Sequence, residues 1–230
     1  MSSDPGIQPL VPRFVAFLSE GVKLNVAQLH YVQLIYLMRM LRSLVENPNL
    51  TLDSYVHELL PACASCCMSK QVCRNPTTDN HWALRTFSAR QLAFLVRKYT
   101  TETNQIHARI VRLVSRVLQD PTSALVSCFG GLAIIGELGD EVVRSTLLQG
   151  HPCCLKNFGE RMRQAEDTGA GPNQHDQLVR KITEQVQVCL LFVHCVIKTI
   201  CVYPNIDQFV VSDYRMPSCQ VYNASSRPYE

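Results

Sequence analysis

From Gln8 to about Tyr203 the apolar residues return at helical spacing. Turn residues cut that pattern at Asn47-Pro48-Asn49, Asn75-Pro76-Thr77-Thr78, Asp120-Pro121 and Gly169 to Asn173. Leu34, Leu37, Met38, Leu41, Leu44 and Val45 fall three, four and seven apart in one segment, and Val56, Leu59, Leu60, Cys63 and Cys67 do the same in the next. No run alternates apolar and polar residues as a half-buried strand does, so the chain is expected to be all-α. Amphipathic helices joined by short turns cannot each bury an apolar face alone. They are expected to form antiparallel pairs that stack on one another, with a cap at the end of the stack.

One stretch refines this picture. Asp79-Asn80-His81-Trp82-Ala83-Leu84-Arg85 holds the only tryptophan and opens a helix soon after another has ended. Asp79 can cap that helix by accepting a backbone N–H two or three residues on. Leu84, Phe87, Ser88, Leu92, Leu95, Val96 and Tyr99 then share a face, with Arg85 just off it. Trp82 is expected to pack between helix layers with its N–H on a backbone carbonyl, in preference to serving as an exposed anchor for a partner. Pro12 lies in the first apolar helix and Pro61 in the third, where a proline removes a backbone hydrogen bond and kinks the helix.

A second pair is expected from Asn104 to Leu138, its inner helix starting at Asp120-Pro121. Gly130, Gly131 and Gly136 there leave room for close backbone approach. Asp140-Glu141-Val142-Val143-Arg144 repeats the acid-then-arginine order in a shorter unit, and Gln177 to Tyr203 reads as a long closing helix. The expected organisation is an N-terminal extension over 1–7, a helical-repeat domain over 8–203, and a loosely held tail over 204–230 containing Pro204, Pro217 and Pro228.

Composition narrows the chemistry. The formal net charge of +3 does not by itself imply nucleic-acid binding. Arg109, Arg112 and Arg116 do share one helical face, with Arg97 and Lys98 on the helix before. A basic contact strip for nucleic acid is therefore the alternative reading, disfavoured because no aromatic residues are interleaved to stack on bases. Residues 1–10 carry Asp4 and Pro5 and no basic segment leading into an apolar run, so no secretory signal is read and a reducing setting is expected. The eleven cysteines are then expected to be free thiols.

Cys63, Cys66, Cys67 and Cys73 near His57 could be read as zinc ligands, as could His151, Cys153 and Cys154. Packing is favoured, because Cys63 and Cys67 continue an apolar stripe and no matching second pair follows. Cys189, Cys195, Cys201 and His194 lie in an apolar helix and are read the same way. Residues 186–203 are broken by Gln187, His194 and Lys198, which suits a buried helix better than a membrane span. No nucleophile-base-acid order and no phosphate-binding glycine loop appears. No enzyme, cofactor, metal or small-molecule substrate is expected.

An acid ahead of the second helix of a pair, an arginine one and a half turns inside it, and a proline in the first helix together form the layout of HEAT repeats, in which the arginine is a ladder partner between units. Four blocks make the likeness specific: Val11-Pro12-Arg13-Phe14, Leu34 through Met40, Tyr55 through Pro61, and Asp79 through Arg85. In this order they resemble the C-terminal HEAT region of the transcription initiation factor TFIID subunit 6 family. The likeness runs from about Pro5 to Leu148 and includes Gly136-Glu137-Leu138-Gly139.

The resemblance implies a HEAT-repeat α-solenoid with a long C-terminal capping helix. It also implies a nuclear, non-catalytic scaffold in RNA polymerase II preinitiation complex assembly, whose partners are other TFIID subunits. A related subunit serves SAGA-type coactivators, which adds subunits of that assembly to the expected partners. The family's histone-fold pairing is not carried over, because no stretch of this sequence matches that domain.

Overall fold

The apolar stripes from Leu34 to Val45 and from Val56 to Cys67 become the buried sides of two helices. The structure, a computed structural model, describes residues 4–148, Arg161 and 172–197, with the side chains of the last helix described from 177 to 191. The chain divides into two units, Met1–Val193 and His194–Glu230. The helices belong to the first unit, apart from the final backbone turn of the last one. The expected tail, the His151, Cys153 and Cys154 cluster, and the side chains of His194, Cys195 and Cys201 lie outside the described residues.

A short 3-10 turn, Pro5–Leu10, is capped by Asp4, whose side chain accepts from the Gly6 N–H. It leads into α1 (Val11–Gln28), which ends at Leu29 in the left-handed region. There the His30 N–H bonds back to the Asn25 carbonyl at 2.9 Å, and the chain reverses into α2 (Tyr31–Val45). Then come α3 (Val56–Met68), α4 (His81–Tyr99), α5 (Ile106–Gln119) and α6 (Leu125–Leu138). A short α7 (Asp140–Val143) runs into a π-helical turn, Arg144–Leu148, and α8 (Pro172–Ile197) is the long last helix.

Helices α1 and α2, α3 and α4, and α5 and α6 form the antiparallel pairs, while α3 also packs on α1, and α4 on both α2 and α6. Among the described residues there is no strand, and the fold is the expected all-α stack of helix pairs. The centre of the stack is α4, in which twelve of nineteen residues are buried, including His81, Trp82 and Arg85. Helix α8 covers α6: the Cys189 thiol donates to the Leu132 carbonyl at 3.5 Å, and Cys189 and Ile182 are fully buried. No helix among the described residues is long and apolar enough to cross a membrane.

Three local expectations need correction. The cap of α4 is Asn80 rather than Asp79: the Asn80 side chain accepts from the Ala83 N–H at 3.3 Å, and the Asp79 carbonyl accepts from His81 instead. Both side chains could serve, and a tight turn closed by the Asp79 N–H on the Asn75 carbonyl shifts the helix start by one residue. Pro12 does not kink α1. It is the second residue of that helix, where no intrahelical bond exists for it to remove. The helix expected at Asp120-Pro121 begins instead at Leu125, because Asp120 folds a turn on itself by accepting from the Thr122 N–H at 2.8 Å and from the Thr122 and Ser123 hydroxyls. Pro61 does lie inside α3, at its sixth position.

Candidate functional site

Two places gather the residues that the sequence singles out. The first is a buried junction where α3, α4 and α6 meet. The last carbonyls of any helix lack intrahelical partners, and their partial negative charge attracts a cation. Arg85, 1% exposed, answers that need for α3: its Nη1 donates to the Cys67 carbonyl at 2.7 Å. Its Nε donates to His81 Nδ1, one turn earlier on α4, at 3.4 Å. Among the described residues Arg85 has no carboxylate partner. The expectation of a ladder between units is therefore corrected: Arg85 joins the two helices of one pair through a backbone carbonyl.

Burial lowers the Arg85 pKa to about 10, with the neighbouring thiols opposing the shift, so the side chain stays charged at neutral pH. Burial together with the Arg85 charge lowers the His81 pKa to about 4. A neutral imidazole with its proton on Nε2 is what lets Nδ1 accept from Arg85.

Trp82 packs as expected, 4.1 Å from the His81 ring and 4.8 Å edge-on from Phe129 of α6. Its indole N–H does not reach the expected carbonyl and has no partner among the described residues. At the same junction the Cys67 thiol donates to the Gly130 carbonyl at 3.3 Å. A side-chain carbon added at Gly130 would lie 2.2 Å from the Cys67 carbonyl oxygen. Cys63, Cys66, Cys67 and Cys73 are all buried free thiols. Burial pushes Cys66 and Cys67 up to about 12, where they remain protonated and suit packing rather than thiolate chemistry. Among the described residues no three His, Cys, Asp or Glu side chains are placed to hold a metal ion.

Reasoning from the sequence missed His81 and the Cys67 carbonyl as members of this junction. The i, i+4 spacing of His81 and Arg85 was the available signal for the first.

The junction has a pH signature. His81 is depressed from 6.5 to about 4 on folding, so between those values the unfolded chain binds the extra proton. The contribution of His81 to stability is complete above pH 6.5 and is lost as the pH falls toward 4. We expect thermal melts to show a loss of about 2 kcal/mol from this group between pH 7 and pH 4.5. A His81→Asn variant, whose side-chain oxygen can still accept from Arg85, should lose less over the same window. Equal losses for the two proteins would show that His81 is not the titrating group.

The second place is a groove between α3 and α5. First helices α1 and α3 pack together, but α3 and α5 do not make the same close contact. A cleft of about 780 Å³ opens between them, lined on one side by Leu60, Pro61 and Ala64 and on the other by Ile110, Leu113 and the arginines. Arg109, Arg112 and Arg116 all lie on its α5 rim and are exposed. Arg97 and Lys98 do not extend that strip. They donate to the Glu137 carbonyl at 2.6 Å and to the Val45 carbonyl at 3.2 Å.

Comparison with known proteins agrees with this architecture. The family described as the TAF6 C-terminal HEAT repeat domain matches residues 1–151. Transcription initiation factor TFIID subunit 6 of Drosophila melanogaster is 45% identical over 144 residues, 63% of this chain and 24% of that protein. The Schizosaccharomyces pombe SAGA complex/transcription factor TFIID complex subunit Taf6 is 30% identical over 144 residues, 63% of this chain and 31% of that protein. The matched stretch is thus about a quarter to a third of these relatives. The TAF6 C-terminal domain of Antonospora locustae superposes with a TM-score of 0.55 over 79% of this chain and 83% of that one. At 20% identity this likeness speaks to the fold alone.

Proposed function

The chain belongs to the TAF6 C-terminal HEAT repeat domain family, and on that basis we propose that it acts in the nucleus as a non-catalytic scaffold subunit of TFIID. In this reading it supports RNA polymerase II preinitiation complex assembly through protein contacts made by its helix pairs, with other TFIID subunits as partners. SAGA-type coactivator subunits join them, since the fission-yeast relative carries both names. The working parts are the repeat domain over 8–203, flanked by the extension over 1–7 and the tail over 204–230.

The observation that carries this reading is the family match across residues 1–151, the stretch that contains all three helix pairs. The physics supports it. Stacked pairs held by buried junctions such as the Arg85–Cys67 contact offer a persistent surface on which partners can dock without chemistry.

Affinity capture from nuclear extract with the tagged chain, read by mass spectrometry, tests the proposal. TFIID subunits should be enriched well above a control carrying the tag alone. Recovery of nucleic acid without TFIID subunits would overturn it.

A further inference from the structure

We propose that the groove between α3 and α5 is a docking site for an acidic amphipathic helix supplied by another protein. The inference gives the scaffold reading a surface and a partner chemistry, and it rests on that reading for the partner being a protein.

The floor of the groove is apolar. Leu60, Ala64 and Ile110 are nearly buried there, while Leu113, on the α5 wall, remains 41% exposed with its apolar surface turned to solvent. The rim is cationic. Arg109, Arg112 and Arg116 stand three and four residues apart on α5, a row roughly 10 Å long at 1.5 Å per residue. Among the described residues none of the three side chains makes an ion pair or a hydrogen bond. Among those residues the only carboxylate lining the groove is Asp53, at the start of the turn before α3.

An apolar trough beside an unpaired row of positive charges matches one kind of ligand closely. A helix can lay leucine-like residues at i, i+3 or i+4, and i+7 into the trough, with aspartate or glutamate along the flank facing the arginines. The spacing of the arginines is itself the helical i, i+3, i+7 repeat, so acids at the same repeat on a helix lying alongside α5 meet them in register. A nucleic acid would use the rim and leave the trough empty, since among the described residues no Phe, Tyr or Trp side chain lines it for base stacking. An enclosed small-molecule site is also a poor match, because the groove is open along its length.

Beside the groove Gly130 lets α6 come close to the end of α3, and it is α6 rather than α5 that packs closely on α3.

The test uses a synthetic helix about four turns long, with leucines along one face and glutamates flanking them, titrated into the full chain by fluorescence anisotropy. We expect saturable binding that weakens with added salt. Binding should fall about tenfold or more in Arg112→Glu/Arg116→Glu and by about as much in Leu113→Ser, where the charges are intact. The double variant Arg13→Glu/Lys23→Glu carries the same change in net charge on exposed positions of α1, and it should bind within about twofold of the parent chain. Circular dichroism melts of each variant confirm that the fold persists.

Three results would overturn the proposal: no binding, equal weakening by the two charge-reversal pairs, or a single-stranded oligonucleotide that binds more tightly and is displaced by the same groove variants. Failure of the peptide alongside successful capture of TFIID subunits discards the groove and leaves the scaffold. The reverse outcome discards TFIID membership and leaves the groove.

Discussion

Arg85→Ala should lower the melting temperature by about 10 °C, whereas Arg97→Ala should lower it by no more than about 3 °C. Both side chains donate a short hydrogen bond to a backbone carbonyl, 2.7 Å to Cys67 and 2.6 Å to Glu137, so contact distance does not separate them. Burial does. The Arg97 bond is exposed, and on its loss water can serve the Glu137 carbonyl, so the net cost is at most about 1 kcal/mol. Removing Arg85 strands a carbonyl at the end of α3 in a dry environment, leaves His81 Nδ1 without its donor, and opens a cavity where a fully buried long side chain stood. An unsatisfied buried acceptor costs about 1–3 kcal/mol, and the cavity adds to it. A total of about 3–4 kcal/mol in a chain of this length corresponds to the stated shift.

Arg85→Met divides the two contributions, since it fills most of the volume without the hydrogen bonds and without the cost of burying a charge. Its loss should fall between those of Arg85→Ala and Arg97→Ala. Equal shifts for Arg85→Ala and Arg97→Ala would show that the buried guanidinium is not what joins α3 to α4.

The same residue shows what a sequence of this kind discloses. That Arg85 would matter was legible, because acid, tryptophan and arginine at those spacings opening a helix form a pattern. So were the helix pairs, since Leu34 to Val45 and Val56 to Cys67 repeat their apolar residues at intervals that only a helix brings to one side. The partner was not legible. A carbonyl carries no signature in the one-letter code, so Cys67 drew notice for its thiol while its main-chain oxygen turned out to hold Arg85. Caps shift for a related reason: Asp79 and Asn80 have nearly equal intrinsic aptitude, and the geometry of the preceding turn decides between them. The groove was half visible. The arginine row follows from helical spacing, but the trough beside it depends on α3 and α5 failing to close, a property of how three helices meet rather than of any one of them.

That meeting point yields the second large effect. Gly130→Ala should destabilise the chain by about 3 kcal/mol or more, against the ordinary expectation for a helix interior. Replacing glycine by alanine within an exposed helix stabilises it by up to about 1 kcal/mol, through a smaller loss of backbone freedom. At Gly130 the added carbon would sit 2.2 Å from the oxygen and 2.8 Å from the carbon of the Cys67 carbonyl. Both atoms are backbone, so no rotamer change relieves the clash, and α6 must move away from α3. Doing so stretches the thiol bond from Cys67 to the Gly130 carbonyl and disturbs the carbonyl that Arg85 holds.

The neighbouring glycines supply the internal scale. At Gly131 the new carbon meets the side chains of Leu118 and Val114 at 3.1 and 3.2 Å, which can yield slightly, so a smaller loss is expected. At Gly136, among the described residues, it meets the Cys189 sulfur at 3.2 Å and the end of Gln185 at 3.6 Å, and the gain in helix propensity should leave the change near neutral. Urea titration of the three variants should therefore rank them Gly130, Gly131, Gly136 from most to least destabilised. A neutral or stabilising Gly130→Ala would mean that α3 and α6 do not approach at this point.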